Sequence, residues 1–178
     1  MAKTENPHSV RLYDSLFKHL GKETAERISH KIPLSNSADA RKKFIWAESI
    51  SADLEKELDD ETIKLIRMDC ACGPDAGKIS TLKKVYQSST GLQDFAEKAS
   101  GLKQGFELEY KDQSLHLFYP QCYCSCVKRI QQPISKAWCY CTLGYTKKMF
   151  EAILERPVEA LLLDSVKMGG KHCIIKII

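Results

Sequence analysis

Apolar residues recur at helical spacing through the first hundred residues of the chain. The longest stripe has steps of three and four and predicts a helix over 38–58, formed by Ala40, Phe44, Ala47, Ile50, Leu54 and Leu58. Shorter stripes predict five more helices, formed by Val10, Tyr13, Phe17 and Leu20; by Ala25, Ile28 and Ile32, closed by Pro33; by Ile63 and Ile66 after a cap at Asp59 or Asp60; by Ile79, Leu82 and Tyr86; and by Leu92, Phe95 and Ala99.

The pattern changes after Gly101. Apolar and polar residues alternate over 106–110 and again over 115–117, with a polar turn between them, which predicts a β-hairpin. A helix is predicted to follow 138–141 and to end at Pro157, before strands over 158–168 and 171–178 that a tight turn at Gly169-Gly170 joins. We therefore expect an α+β fold, with a helical N-terminal part packed on a small antiparallel sheet and a crossing helix.

The domain organisation follows from length and composition. A chain of 178 residues without a Pro/Gly/Ser-rich linker predicts one domain over 1–178, with a helical subregion at 8–100 and an α+β ligand-binding subregion at 101–178. The long helix should bury Phe44, Ile50 and Leu54 against the rest of the domain. It also offers a possible homodimer interface.

Composition excludes several classes of protein. With 43% hydrophobic and 28% charged residues, the chain can form a core, and a net charge of +4 is too mild to predict a nucleic-acid partner. No apolar run is long enough to span a membrane. The polar N-terminus lacks the features of a secretory signal, so we expect a cytoplasmic protein.

Cysteine is the unusual component of this sequence. Seven of the eight cysteines occur two residues apart, as Cys70/Cys72, Cys122/Cys124/Cys126 and Cys139/Cys141. In an extended segment, such residues point to the same side, so two pairs could supply the four thiolates of a zinc site or an iron–sulfur cluster. This predicts a metal site, with zinc as the first choice, formed by Cys122, Cys124, Cys126, Cys139 and Cys141.

Two other interpretations of the cysteines remain open. Alternate thiols can simply line a buried face, which is the expectation for Cys173 beside Ile175 and Ile177. Alternatively, one thiol is a nucleophile, because basic residues and a helix N-terminus lower a thiol pKa. The candidates for a catalytic thiol are Cys124 and Cys141, the latter near the start of the predicted helix.

Aromatic residues surround these cysteines along the chain. Such side chains form core, or they line a concave site for a small, partly apolar molecule. The candidates for ligand binding are Tyr119, Trp138, Tyr140 and Tyr145.

A resemblance to a known family rests on the C-terminal third of the chain. Its motifs are Trp138–Tyr145, Met149–Leu154, Pro157–Glu159, Asp164–Val166 and Gly169–Cys173. They resemble a cysteine-rich prokaryotic family of unknown function, which is similar to L-2-amino-thiazoline-4-carboxylic acid hydrolase-like proteins and to vinyl-4-reductase-type hydrocarbon-binding domains. The resemblance implies a pocket between helices and an antiparallel sheet.

These observations predict a cytosolic protein that binds a small molecule, a metal ion or both in a cysteine-rich pocket. The alternative is a hydrolase that acts on a small ring or amide through a cysteine thiolate or a metal-bound water.

Overall fold

The computed structural model describes residues 5–29 and 34–178. Across these residues the helices are α1 (Pro7–Leu20), α2 (Lys22–Ser29), α3 (Ala40–Glu57), α4 (Asp60–Asp69), α5 (Ala76–Gln87), α6 (Leu92–Gly101) and α7 (Lys136–Leu154). The strands are β1 (Glu107–Lys111), β2 (Ser114–Tyr119), β3 (Ala160–Asp164) and β4 (Cys173–Ile177), with a 3₁₀ helix at Val166–Met168. The α+β class is confirmed.

Three aspartates mark helix starts. The carboxylates of Asp39, Asp59 and Asp75 each accept a hydrogen bond from the backbone N–H three residues later, at the starts of α3, α4 and α5. The predicted long helix is confirmed as α3, which buries Phe44, Ala47, Ile50 and Leu54 and in addition Trp46.

The predicted apolar face of α1 is wrong. Val10 and Phe17 are 39% and 51% exposed, whereas Leu12 and Leu16 are fully buried. The helix carries two apolar stripes at compatible spacing, and only packing chooses between them. In the second predicted helix, Ala25 and Ile28 are buried as expected, and Ile32 and Pro33 lie outside the described residues.

The four strands form one antiparallel sheet in the order β1-β2-β4-β3. Its first two strands are the predicted hairpin, in which Leu108 pairs with Leu117 and both are buried. Cys173, Ile175 and Ile177 point to the same buried side of β4, as expected.

The predicted tight turn between the last two strands is wrong. The first of them ends at Asp164, and the chain continues through the 3₁₀ helix before β4 begins. The Ser165 hydroxyl caps this helix by accepting a bond from the N–H of Lys167. Gly169 then turns the chain with a left-handed φ of 98°, a conformation that side-chain-bearing residues disfavour.

The chain divides into two compact units, each built from two segments. The first comprises the described residues up to Cys72 together with Tyr123–Gly144, and it contains α1 to α4 and the start of α7. The second comprises Gly73–Cys122 and Tyr145–Ile178, and it contains α5, α6, the sheet and the rest of α7. The single domain expected from the sequence stays a prediction. No helix in the described ranges is long and apolar enough to cross a membrane.

Candidate functional site: cysteines around a buried arginine

Three separate stretches of the first unit carry the cysteines of this site. Cys70 caps the C-terminus of α4, and Cys72 follows it in a loop. Cys124 begins a turn in which its carbonyl accepts bonds from the N–H groups of Val127 and Lys128. Cys141 lies in the second turn of α7. We call Arg67 and the five thiols of these stretches the Arg67 cluster. Its thiols are those of Cys70, Cys72, Cys124, Cys126 and Cys141.

The last cysteine pair lies in a helix and not in an extended segment. Residues two apart on a helix are about 200° apart around its axis, so Cys139 and Cys141 point to different sides. Cys139 is buried, and Cys141 is partly exposed. The idea that both sulfurs face one point, which assumed an extended chain, is therefore wrong.

A glycine lets α7 lie against the end of α4. A Cβ added to Gly144 would lie 2.3 Å from the carbonyl oxygen of Met68 and 2.5 Å from its Cα. Only a residue without a side chain permits this approach. Gly144 follows Cys141 by three residues and Met68 precedes Cys70 by two, so the contact brings the two cysteine-bearing stretches together.

Arg67 is a buried cation whose described surroundings offer it no carboxylate. Its side chain is 3% exposed, and its guanidinium carbon lies 4.0 Å from the centre of the Trp138 ring. One terminal nitrogen donates to the Cys70 sulfur at 3.2 Å and the other to the Trp138 carbonyl at 3.3 Å, while Nε has no hydrogen-bond partner within 5–29 and 34–178. Burial alone would lower the pKa of Arg67, but the four thiols that face it, Cys70, Cys141, Cys124 and Cys126, hold that pKa above its ordinary value.

Cys141 is the more acidic thiol of its pair with Cys72. Hydrogen bonding by the Cys72 thiol has the largest effect on its pKa, and the Cys72 backbone N–H, Arg67 and Arg11 act in the same direction. Together they lower the pKa of Cys141 to about 5, against the opposing effect of burial. The same bond and burial raise the pKa of Cys72, so the pair loses one proton readily and retains the other.

Cys124 and Cys126 repeat this arrangement. The Trp138 indole N–H donates to the Cys124 sulfur at 3.4 Å, and the thiol and backbone N–H of Cys126 also favour the Cys124 thiolate. These bonds, with the Cys126 thiol first, lower the pKa of Cys124 to about 6, although burial and the neighbouring Cys141 oppose the shift. The pKa of Cys126 is raised by its bond to Cys124 and by burial.

A chain of side chains from α1 joins the two cysteine loops. Arg11 donates to the Cys72 sulfur at 3.1 Å, to the Cys70 carbonyl at 3.3 Å and to Nδ1 of His8 at 3.1 Å. Because that nitrogen accepts, the neutral ring carries its proton on Nε2, which lies 2.8 Å from the hydroxyl of Ser125. Burial, followed by Arg11, Arg67 and Lys43, lowers the pKa of His8 to about 4, so the ring is neutral at pH 7.

The structure separates several of the residues singled out from the sequence. Of the five predicted metal ligands, Cys124, Cys126 and Cys141 lie in the Arg67 cluster, whereas Cys122 belongs to the second unit and Cys139 faces another side of α7. No group of three or more His, Cys, Asp or Glu side chains in the described part of the chain is arranged to hold a metal ion.

The four aromatic residues predicted to bind a ligand are also divided between the two units. Tyr119 and Tyr145 belong to the second unit, where the Tyr119 hydroxyl lies 3.1 Å from that of Thr146. In the first unit, Trp138 stacks on Arg67, and the Tyr140 hydroxyl donates to the carboxylate of Asp60 at 2.7 Å. A ligand-binding role for these residues stays a prediction.

Arg67, Arg11 and His8 were missed by the sequence analysis. A single Arg or His on an amphipathic helix carries no distinguishing signal, because the thiols that give each its role are far away in the chain. The spacing of Cys72 from Cys70 did indicate a paired thiol, but the sequence analysis did not place Cys72 in the same site as Cys124 and Cys141.

The fold and this cluster define a mixed α+β protein with thiol pairs held beside a buried cation. Over residues 1–178 the chain matches the protein family described as Family of unknown function (DUF6144), and it belongs to that family. This agrees with the expected family of unknown function; the similarity to hydrolase-like and reductase-type domains stays a prediction. No curated protein matches the chain.

Two solved structures from Shewanella oneidensis are similar at a distance. One is the NMR structure of a mutant H-NOX domain in the Fe(II)CO ligation state, with 10% identity and a TM-score of 0.47, covering 98% of this chain and 97% of that one. The other is the crystal structure of an H-NOX protein in the Fe(II)NO ligation state, with 14% identity, a TM-score of 0.46 and 98% of each chain covered. At these TM-scores the likeness carries no conclusion about function.

Proposed function

We propose that this protein binds a small electrophilic molecule through the sulfurs of Cys141 and Cys124. One observation carries the proposal: the pKa of each thiol is lowered, to about 5 for Cys141 and about 6 for Cys124, and the Trp138 indole N–H lies 3.4 Å from the Cys124 sulfur as a donor. Donors and positive charge stabilise a thiolate, which is the nucleophilic form of cysteine.

The surroundings support the same conclusion. Arg67 has no carboxylate partner among the described residues, so negative charge on the nearby sulfurs compensates a buried cation. Cys141, Cys124 and Cys72 each keep some exposed surface, whereas Cys139 and Cys173 are buried. A purely structural thiol would need neither property.

The expected metal ion is the competing ligand. Thiolates suit zinc or an iron–sulfur cluster, and four thiols do act on Arg67. Against this, the described His, Cys, Asp and Glu side chains form no arrangement of three or more metal ligands. We therefore favour an organic electrophile over a metal ion as the ligand.

A hydrolase has less support. Hydrolysis through a thiolate needs a base to activate water, and His8 lies beside these loops, with Nε2 2.8 Å from the Ser125 hydroxyl. Its two ring nitrogens are already bonded to Arg11 and Ser125. A thiolate-dependent binding protein suits the reducing conditions of the expected cytoplasmic location.

Alkylation kinetics test the proposal. Native protein is treated with iodoacetamide between pH 5 and 9, and each cysteine-containing peptide is followed by mass spectrometry. At pH 6 we expect Cys141 and Cys124 to react about tenfold or more faster than buried Cys139 and Cys173. A Cys139→Ala variant is the matched control, since it changes another thiol of the same helix and should leave both rates unchanged.

Two results would overturn the proposal. One is a rate for Cys141 and Cys124 that rises only near pH 8–9, as for an ordinary thiol. The other is stoichiometric zinc, found by elemental analysis of protein purified without a His tag and lost in Cys141→Ala and Cys124→Ala.

A further inference from the structure

We infer that the electrophile bound at the Arg67 cluster carries a carboxylate and that Arg11 receives this group. This assignment rests on the proposed function and deepens it, because it names the chemical class of the ligand. Its support is the geometry of the two guanidinium groups that lie against Cys70 and Cys72.

Both arginines are bonded to the same short stretch of chain. One terminal nitrogen of Arg67 donates to the Cys70 sulfur at 3.2 Å, and Nε of Arg11 donates to the Cys70 carbonyl at 3.3 Å. Nη2 of Arg11 also donates to the Cys72 sulfur at 3.1 Å. Two positive charges are thereby held beside one pair of cysteines, where they repel each other unless negative charge lies close to both.

Arg11 pairs with no carboxylate in the part of the chain that the structure describes. Its acceptors there are the Cys70 carbonyl, the Cys72 sulfur and Nδ1 of His8, and none of the ion pairs of these residues includes it. These bonds use Nε and Nη2, so the N–H groups of Nη1 are not committed to the described protein. Arg11 is also only half-buried, which leaves a charged donor at the edge of the site.

The charged groups that act on His8 have the same sign. Burial lowers the pKa of its ring most, and the nearby cations Arg11, Arg67 and Lys43 lower it further. The same ring joins Arg11 to the second cysteine loop, because Nε2 lies 2.8 Å from the hydroxyl of Ser125. A positive potential therefore extends from Arg11 to that loop, and it favours an electrophile with negative charge.

A carboxylate fits a guanidinium better than a neutral group does. Its two oxygens match the paired N–H groups, and the bonds are stronger because both partners are charged. A carboxylate bound to Arg11 would hold the rest of the molecule beside the cysteine loops. The thiolate sulfur then forms a bond to the electrophilic carbon, and the leaving group departs with the electron pair of the bond that breaks.

Two alkylating reagents that differ in charge test this assignment. Iodoacetate and iodoacetamide both react with the thiolate and lose iodide, so the ratio of their rates does not depend on the pKa of the thiol. The ratio is measured at Cys141 and Cys124 of the native full-length protein at pH 7, by mass spectrometry of the peptides. We expect the rate of iodoacetate relative to iodoacetamide to be about tenfold higher than in the urea-unfolded chain, and to fall when salt is added.

Substitutions of Arg11 identify the group that selects the reagent. Arg11→Gln should bring the ratio close to that of the unfolded chain, whereas Arg11→Lys keeps the positive charge and should keep most of the preference. Arg129→Gln is the matched control, because it removes an exposed arginine from the loop that follows Cys124 and should leave the ratio unchanged. The salt dependence of the wild type tests the same charge if Arg11→Gln does not fold.

The outcomes separate this assignment from the proposed function. If iodoacetamide reacts rapidly with Cys141 and Cys124 but the ratio equals that of the unfolded chain, the proposed function stands and the carboxylate class is wrong. Equal falls of the ratio in Arg11→Gln and Arg129→Gln would also overturn the role of Arg11. If neither reagent modifies these two thiols faster than Cys139 and Cys173, both proposals fail.

Discussion

The same side chain occurs in two contrasting settings, at Cys141 in the first unit and at Cys173 in the second. Cys173 lies on the buried side of β4, and its sulfur is 3.9 Å from the hydroxyl of Ser165. Cys141 keeps part of its surface exposed, and another cysteine and two arginines lower its pKa. The difference teaches that a thiol among apolar residues belongs to the core, whereas a thiol beside donors and a cation becomes an acid.

The largest expected effect comes from closing the space that α7 needs beside α4. In Gly144→Ala, the new Cβ meets backbone atoms of Met68, which cannot rotate away. The higher helix propensity of alanine offsets only part of this clash. We expect a loss of about 3 kcal/mol in the free energy of unfolding, measured by urea denaturation, together with slower alkylation of Cys141.

Gly170→Ala is the matched control in the second unit. Its Cβ would meet the carboxylate of Asp164, at the flexible end of a side chain that can swing aside. The expected loss is below about 1 kcal/mol. Equal losses at Gly144 and Gly170 would show that the close helix contact is not present in solution.

Removing the positive charge of Arg67 should make Cys141 a weaker acid and so weaken its contrast with Cys173. Arg67→Met keeps much of the side-chain volume but removes the charge that lowers the pKa of Cys141. We expect that pKa to rise by about one unit or more, as measured from the ultraviolet absorbance of the thiolate during a pH titration.

Arg67→Met should also lose about 1 kcal/mol of unfolding free energy at pH 8, because a higher pKa of Cys141 reduces the contribution of its thiolate. Arg27→Met, which removes an arginine paired with Glu57 in the same unit, is the control and should leave the titration unchanged. An unchanged pKa of Cys141 in Arg67→Met would show that Arg67 does not lower that pKa.

The free energy of unfolding should rise with pH as a consequence of Cys141. The pKa of Cys141 is about 5 in the folded protein, against an ordinary value of 9.0. Its thiolate therefore makes its full contribution to the free energy of unfolding above pH 9.0. The contribution is lost as the pH falls through about 5. We expect a gain of about 3 kcal/mol between pH 5 and 8, measured by urea denaturation.

Cys141→Ala isolates this contribution from that of His8. The lowered pKa of His8 also makes stability rise with pH, but only between about 4 and its ordinary 6.5. Above pH 6.5, the curves of the wild type and Cys141→Ala should therefore continue to diverge. Parallel curves there would contradict the assigned acidity of Cys141.

The smallest effect concerns one hydrogen bond. Trp138→Phe removes the indole N–H that donates to the Cys124 sulfur but keeps an aromatic ring against Arg67. We expect the pKa of Cys124 to rise by about half a unit. Trp46→Phe is a close control, because the Trp46 N–H has no hydrogen-bond partner among the described residues and its loss should leave Cys124 unaffected.

Local sequence signals accounted for much of the fold. The spacing of apolar residues predicted α3, and the aspartate at position 59 predicted the start of α4, because these features act within one or two turns of chain. The hairpin was predictable for the same reason. The apolar face of α1 was not, since two stripes satisfied the periodicity and only the packed core selects Leu12 and Leu16.

The sequence by itself determined that cysteine chemistry is the distinctive property of this chain and that Cys124 and Cys141 were candidate thiols. Only the tertiary structure decided that Cys139 and Cys141 diverge on a helix, and that Cys72 and Arg67 become neighbours of Cys141. The physical reason is distance along the chain. Helix caps and alternation are local, whereas the acidity of a thiol depends on donors and charges that folding brings from residues far away in sequence.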